Sequence, residues 1–524
     1  MRMIARQPRA RSGLAIALLI TVGAVAGCTE APANQTATWN ASPVEETRPL
    51  FPEYFPPEEF AERRERIYDT IGEGAIAIIQ GAPSPMGFIA FRQSNEFFYV
   101  TGVSSPHAYV ILDGSAREAT IYLPNRRERR EYGEGKVLSA EDADLVRQLA
   151  GIERVRSTDD LRQDLRSRAG TSVVYAPFDP AEVRATTRNM ANRTYGDFEE
   201  DPMDDRIPRH ARFLEILRSE LNVSELQDLN PILDEMRMIK SERELDVLRT
   251  SARLHGLGIL EAMRSTEPGI TEYQLEAIMR YIYWQHGATG SAYYALAHIG
   301  PNAFMNHYHA GVRAALDGDM ILLDYGGDYH QYVSDMTRMW PANGRFNDVQ
   351  RELYGFYNAF YEAILYRIRP FVTAQQIKLE ALEEIDEILA GWEFSRPEYE
   401  EAAREFVESY RAGAQNPDTR MGHSVGMAAH DPAPFEGELL PGMVFVIEPQ
   451  FRVPGENIYI RLEDQIILTE DGPEIVTDFV PRDIESIEAI VQQRGILQDY
   501  PLLISESGEF LPTAERLMQG RRGN

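Results

Sequence analysis

Ile321-Leu322-Leu323-Asp324-Tyr325-Gly326-Gly327-Asp328-Tyr329-His330-Gln331-Tyr332-Val333-Ser334-Asp335-Met336-Thr337-Arg338 decides how the rest of the chain is read. An apolar run ends in an aspartate and two glycines, and a second run returns to a second aspartate. The turn chemistry between them predicts a hairpin-like return that brings Asp324 and Asp335 together. Two carboxylates in a poorly hydrated place repel, and one takes a proton unless cations lie between them. A turn-capping aspartate plus a surface aspartate would give the same pattern, so the pair alone leaves both readings open.

Downstream, Gly422-His423-Ser424-Val425-Gly426-Met427-Ala428-Ala429-His430-Asp431 sets one histidine among small residues and a second beyond it. Small neighbours let His423 approach a metal closely, although a satisfied core or turn histidine is the plainer explanation of either ring alone. Val444-Phe445-Val446-Ile447-Glu448-Pro449 and Ile460-Arg461-Leu462-Glu463-Asp464-Gln465-Ile466-Ile467-Leu468 each place a glutamate in an apolar strand pattern. A buried carboxylate is costly unless it is paired or metal-bound. Arg461 offers Glu463 an ion pair on one strand face, whereas Glu448 has no obvious local partner. Two aspartates, two glutamates and a histidine make an oxygen-rich donor set for two divalent ions. Such a set favours Mn²⁺ and admits Zn²⁺, Co²⁺ or Fe²⁺. Paired ions activate a bridging water or hydroxide as nucleophile and polarise a carbonyl, which is hydrolytic chemistry.

Composition sets the frame. The chain has 524 residues, enough for several domains. A formal net charge of −29 argues against nucleic acid as a partner, because phosphate binding needs clustered Lys and Arg. The run Arg126-Arg127-Glu128-Arg129-Arg130-Glu131 mixes signs and reads as a solvated face. Cys28 is the single cysteine, so an intrachain disulfide and a thiolate metal cluster are both excluded.

Residues 1–12 carry arginines and no acid, and residues 13–27 are uncharged and almost wholly apolar. That run is shorter than the ~20 residues of a membrane-spanning helix and reads as a signal segment. Val25-Ala26-Gly27-Cys28 resembles a bacterial lipobox, which implies acylation of Cys28. The expected location is therefore the bacterial cell envelope, with a lipid anchor and the chain facing the periplasm or exterior. Residues 28–50, rich in Pro, Ala, Thr, Glu and Asn, read as a flexible tether.

From residue 51 the pattern is globular. Glu58 to Thr70 is helical in character, and Ala75–Ile79, Phe97–Val100 and Tyr109–Leu112 read as short strands. Ile239 to Arg264 is a long amphipathic stretch, and Thr271 caps a helix through Trp284. Helices are expected at about 346–368 and 373–390, with a strand-rich last third.

Asp324, Asp335, His423, Glu448 and Glu463, in this order and with these flanks, resemble the pita-bread metallopeptidases. Leu323–Arg338 and Met238-Ile239-Lys240-Ser241-Glu242-Arg243-Glu244 are similar to the Xaa-Pro aminopeptidase (aminopeptidase P) and prolidase branch. Phe91-Arg92-Gln93-Ser94-Asn95-Glu96-Phe97-Phe98-Tyr99-Val100-Thr101-Gly102 is similar to the N-terminal domain of aminopeptidase P. The resemblance implies an α/β (α+β) fold. A creatinase-like N-terminal domain would occupy residues 51–230, a pita-bread catalytic domain 231–490, and an extension 491–524. It implies hydrolysis of the bond between an N-terminal residue and a following proline, so that proline-containing peptides are the substrates. Asp324 then resembles the terminal ligand of one metal, and Asp335 and Glu463 the bridging carboxylates. His423 and Glu448 resemble ligands of the other ion, with Glu448 also a proton acceptor. His307 and His430 match catalytic histidines that stabilise the tetrahedral intermediate, and Arg461 supports the carboxylates. Family members often form homodimers or homotetramers, which is the expectation here by analogy.

Three departures fall around the expected substrate pocket. Thr419 stands where the family often has a histidine. Gln450-Phe451-Arg452 replaces a Gly and nearby Tyr after Glu448-Pro449, and Pro432-Ala433-Pro434 follows Asp431. A prolidase restricted to dipeptides is the nearest alternative. A catalytically silent peptide-binding lipoprotein is the alternative from another class, and the complete ligand set speaks against it.

Overall fold

The apolar run from Ala75 forms the first strand, β1 (Ala75–Gln80), buried along nearly its whole length. It lies in a six-stranded sheet with β2 (Tyr109–Asp113), β3 (Glu118–Leu123), β4 (Arg154–Ser157), β5 (Val173–Ala176) and β6 (Leu226–Asp228), in the order β4-β3-β2-β1-β5-β6. The β1–β2 and β2–β3 pairs are antiparallel and the other three are parallel. Both faces are covered: Ala77, Ile79, Val110 and Leu112 pack into one core, Ile76, Ile78, Ile111 and Tyr122 into another. Burial on two sides explains why these strands read as continuous apolar runs. The structure is a computed structural model that describes residues 54–500 apart from 170–172, 222, 224 and 434–436, together with residues 502 and 509. The predicted signal segment, the tether with Cys28 and most of the expected C-terminal extension lie outside the described residues.

Beyond this sheet a pattern of packed helices, two and then three, followed by antiparallel strands occurs twice. The helices Glu242–Arg264 and Glu272–Gln285 pack together and lead into β7 (Gly290–Ser291), β8 (Leu296–Ile299), β9 (Met320–Asp324), β10 (Gly327–Tyr329), β11 (Tyr332–Val333) and β12 (Thr337–Pro341). The helices Asp348–Leu365, Ala374–Gly391 and Pro397–Ala414 lead into β13 (Val444–Ile447), β14 (Phe451–Val453), β15 (Ile458–Ile460), β16 (Asp464–Thr469) and β17 (Gly472–Ile475). Two three-stranded sheets result, β12-β9-β8 and β13-β16-β17. The long helix from Glu242 begins at a capping box: Ser241 Oγ accepts the Glu244 N–H, and the Glu244 carboxylate accepts the Ser241 N–H at 2.9 Å.

Two expectations are corrected. Phe97–Val100 is not a strand but the middle of a helix, Asn95–Thr101, ended by Gly102 in the left-handed region at φ 66°. All seven residues of that helix are buried, so no polar face marks its period. The strand-rich last third also contains the eighteen-residue helix Pro397–Ala414. Proline in its first turn, Glu398 and Glu400 beside it, and buried Tyr399, Ala402, Ala403 and Val407 mark this segment as a helix.

Candidate metal centre

Asp324 ends β9, and β9 pairs with β12 so that Thr337 lies opposite it. Between them β10 and β11 make the expected return. Their turn places His330 and Gln331 at φ 51° and 72°, the left-handed pair that a two-residue hairpin requires. Gly326 is obligatory, since a Cβ there would stand 1.9 Å from the Ser334 carbonyl oxygen. Gly422 does the same for the other half, where a Cβ would meet the Val446 carbonyl at 1.9 Å. That close approach sets His423 against the end of β13, and β13 delivers Glu448 one residue later. Glu463 lies between β15 and β16 and bridges to Thr337, so the two small sheets meet at the site.

The five predicted side chains converge. One ligand atom each from Asp335, His423 and Glu463 lie within 4.8 Å of one another. His423 Nε2 is 3.5 Å from Glu448 Oε1 and 3.8 Å from both Asp335 Oδ2 and Glu463 Oε1. Asp324 joins through Tyr293, whose hydroxyl lies 2.5 Å from Asp324 Oδ1 and 2.7 Å from Asp335 Oδ1. Arg461 pairs with Asp324, and with Glu448 at 3.2 Å. The ion pair weighed between Arg461 and Glu463 does not form; Arg461 is instead the partner that Glu448 lacked on sequence grounds. Thr337 Oγ1 donates to Glu463 at 2.7 Å.

Four carboxylates thus crowd a site whose one guanidinium pairs with two of them. Burial first, and then Asp324, push the Asp335 carboxyl well above its ordinary value. Burial and the charges of Asp335, Glu448 and Asp324 do the same to Glu463. Asp324 is raised by burial against the pull of Arg461. Burial opposes ionisation of Glu448 too, but the His423 hydrogen bond and the Arg461 charge bring it down to about 2. His423 loses by burial and gains more from Glu448 and Asp335, so it is raised. Carboxyls that crowd until they must share protons are relieved by divalent cations, and an imidazole beside them adds a nitrogen donor. The donor set therefore fits the two-ion reading.

The His430 ring lies against His423 with centroids 4.0 Å apart and planes tilted by 37°, and burial and the His423 charge push it down to about 4. His307 is exposed on the segment leading to β9, near enough for its charge to act on His430. Around the pocket, Arg452 donates to the Phe304 carbonyl at 3.0 Å and lies over the rings of Phe304 and Tyr459. Thr419 Oγ1 accepts from Lys378 at 2.8 Å. Sequence reasoning missed Tyr293, and no local pattern marks it, because its partners lie 31 and 42 residues away.

Residues 246–470 match the metallopeptidase family M24, and residues 60–175 match the aminopeptidase P N-terminal domain. The chain is 26% identical to the Xaa-Pro aminopeptidase of Escherichia coli, covering 83% of this chain and 97% of that one. It is also 26% identical to the Xaa-Pro dipeptidase of Homo sapiens, covering 82% and 92%. Among solved structures, Escherichia coli aminopeptidase P in complex with substrate superposes with a TM-score of 0.67 at 26% identity, covering 83% of this chain and 98% of that one.

Proposed function

Because the chain belongs to the M24 metallopeptidases, with the aminopeptidase P N-terminal domain ahead of a pita-bread catalytic domain, we propose that it is an aminopeptidase cleaving the bond between an N-terminal residue and a following proline. It is a metal-dependent peptidase, and its relatives act as Xaa-Pro aminopeptidases and prolidases. The observation that carries the two-ion reading is the convergence of Asp335, His423 and Glu463, with Asp324 and Glu448 completing the set. In this reading these five residues hold two divalent ions, with Mn²⁺ the favoured metal. When bound, the ions supply an activated water and polarise the scissile carbonyl.

The chain's own groups do the rest. Glu448 Oε1 takes a proton from the attacking water and passes it to the leaving proline nitrogen. His430 and His307 donate to the oxygen on which negative charge develops. Arg461 holds Asp324 and Glu448 in place, and Tyr293 does so for Asp324 and Asp335. An aminopeptidase leaves room for chain beyond the proline, whereas a dipeptidase must bind the carboxylate that follows it. The deciding experiment offers Xaa-Pro-Yaa and Xaa-Pro to the Mn²⁺-loaded protein. Release of Xaa from the tripeptide supports the aminopeptidase, release from the dipeptide alone makes it a prolidase, and bound peptide with no cleavage makes it a silent binder.

We also propose that the chain reaches the cell envelope on a lipid attached at Cys28, a reading supported by the basic and apolar segments before it. Labelled palmitate incorporated by the wild type and lost in Cys28→Ser would support it; equal labelling of both would sink it.

A further inference from the structure

The loop that carries His430 is gripped both by the preceding domain and by the helix Asn230–Met238 with the residues just after it. Asp431, 6% exposed, pairs with Arg237, itself 1% exposed, and accepts the backbone N–H groups of Met427 and Ala428 at 3.1 and 3.2 Å. Lys240 Nζ lies 3.4 Å from the same carboxylate. Arg237 is also paired with Glu182 at 2.8 Å. Arg92 and Asn95 each donate to the Met427 carbonyl at 3.1 Å. With Asp431 and the Met427 carbonyl both fixed, the position of His430 is set by groups outside the metal centre.

One of these contacts reaches the ring itself. Asn189, in the first turn of the helix Arg188–Glu200, has its amide nitrogen 3.4 Å from His430 Nδ1. Which end of an amide faces a partner must be read from its other bonds. Here the Asn189 oxygen accepts from the Thr187 hydroxyl and from the Met190 N–H, the latter at 2.9 Å. Both donors hold the oxygen away from His430 and turn the NH₂ toward it. An NH₂ group only donates, so Nδ1 must accept, and in a neutral imidazole the proton then resides on Nε2.

We propose that Asn189 is a positioning residue for the reaction: its amide fixes the tautomer of His430, making the N-terminal domain a working part of the catalytic site. The inference rests on the aminopeptidase reading for its kinetic consequence, because a donor at Nε2 is what the developing oxyanion requires. It does not rest on that reading for the tautomer. Asn189→Asp keeps the shape and the bonds from Thr187 and Met190, yet turns the facing donor into an acceptor that attracts a proton to Nδ1.

The test reads the ring nitrogens of His430 by ¹⁵N NMR in histidine-labelled protein, assigned with His430→Gln, beside kcat and KM on Xaa-Pro-Yaa. Expected are an unprotonated Nδ1 in the wild type and a protonated one in Asn189→Asp. The aspartate variant should lose at least about tenfold in kcat, up to the ~10²–10³ that loss of one oxyanion donor costs, with KM changed less than twofold. Asn189→Ala should fall between. A protonated Nδ1 in the wild type, or unchanged ring shifts in Asn189→Asp, would overturn the proposal. So would equal losses carried by KM in both variants, which mark a packing role only. A wild type that leaves the tripeptide intact refutes the aminopeptidase reading instead, while the NMR arm still decides the tautomer.

Discussion

Tyr293 presents a single hydroxyl proton to two carboxylates, lying 2.7 Å from Asp335 and 2.5 Å from Asp324. One hydroxyl can donate only once. The second contact therefore needs a proton on a carboxyl, in line with the upward shift of both aspartates through burial and, for Asp335, the neighbouring Asp324 charge. Divalent ions displace such protons, since ligands must be deprotonated to bind. Titration of the metal-free protein with Mn²⁺ should release protons, and affinity should rise with pH. Calorimetry in buffers of different ionisation enthalpy checks this; an affinity independent of pH would contradict it.

Tyr293→Phe keeps the ring and removes the hydroxyl. Groups that orient ligands from behind typically change metal affinity or activity by about 10–100-fold when lost. The variant should fall within that range in Mn²⁺ affinity while its thermal midpoint moves little, because one hydrogen bond contributes only about 1 kcal/mol. Equilibrium dialysis against Mn²⁺ measures the first quantity and calorimetric melting the second.

Glu96 is buried, with no hydrogen bond to either carboxylate oxygen among the described residues. Burial, and then the charge of Glu182, raise it from 4.5 to about 7. Between those values the folded state holds a proton that the unfolded chain releases, so stability declines as pH rises through that window. Glu96→Gln should raise the thermal midpoint at pH 8, by up to about 3 kcal/mol in stability, and change it little at pH 4, below both values. Melting curves of both proteins at the two pH values test this, and equal midpoints at pH 8 would reject it.

Arg452 ties the β14–β15 hairpin to the turn ahead of His307 through the Phe304 carbonyl and its ring. The sequence showed a departure from the family here but not what the arginine does. Arg452→Ala should lower kcat several-fold on Xaa-Pro-Yaa without loss of bound metal, because it frees the segment carrying His307. Metal content by mass spectrometry, measured with kcat, distinguishes this from collapse of the centre.

The convergence of the five side chains was legible because Asp324, Glu448 and Glu463 adjoin apolar strands, and the Asp324–Asp335 return because its turn chemistry is local. What escaped was of two kinds. Asn95–Thr101 is buried all round, so its composition could not separate helix from strand. Tyr293, Asn189 and the Arg461 pairs act across tens to hundreds of residues, and no spacing rule encodes such contacts. Pro397–Ala414 belongs to neither kind, since its first-turn proline and glutamates were present to be read.

The most direct measurement is Xaa-Pro-Yaa turnover by wild type and Asp335→Ala, each with its Mn²⁺ content determined. The account predicts release of Xaa by a wild type holding two ions, and a loss of at least about a thousandfold in a variant that cannot hold both. Equal turnover by the two proteins would contradict it.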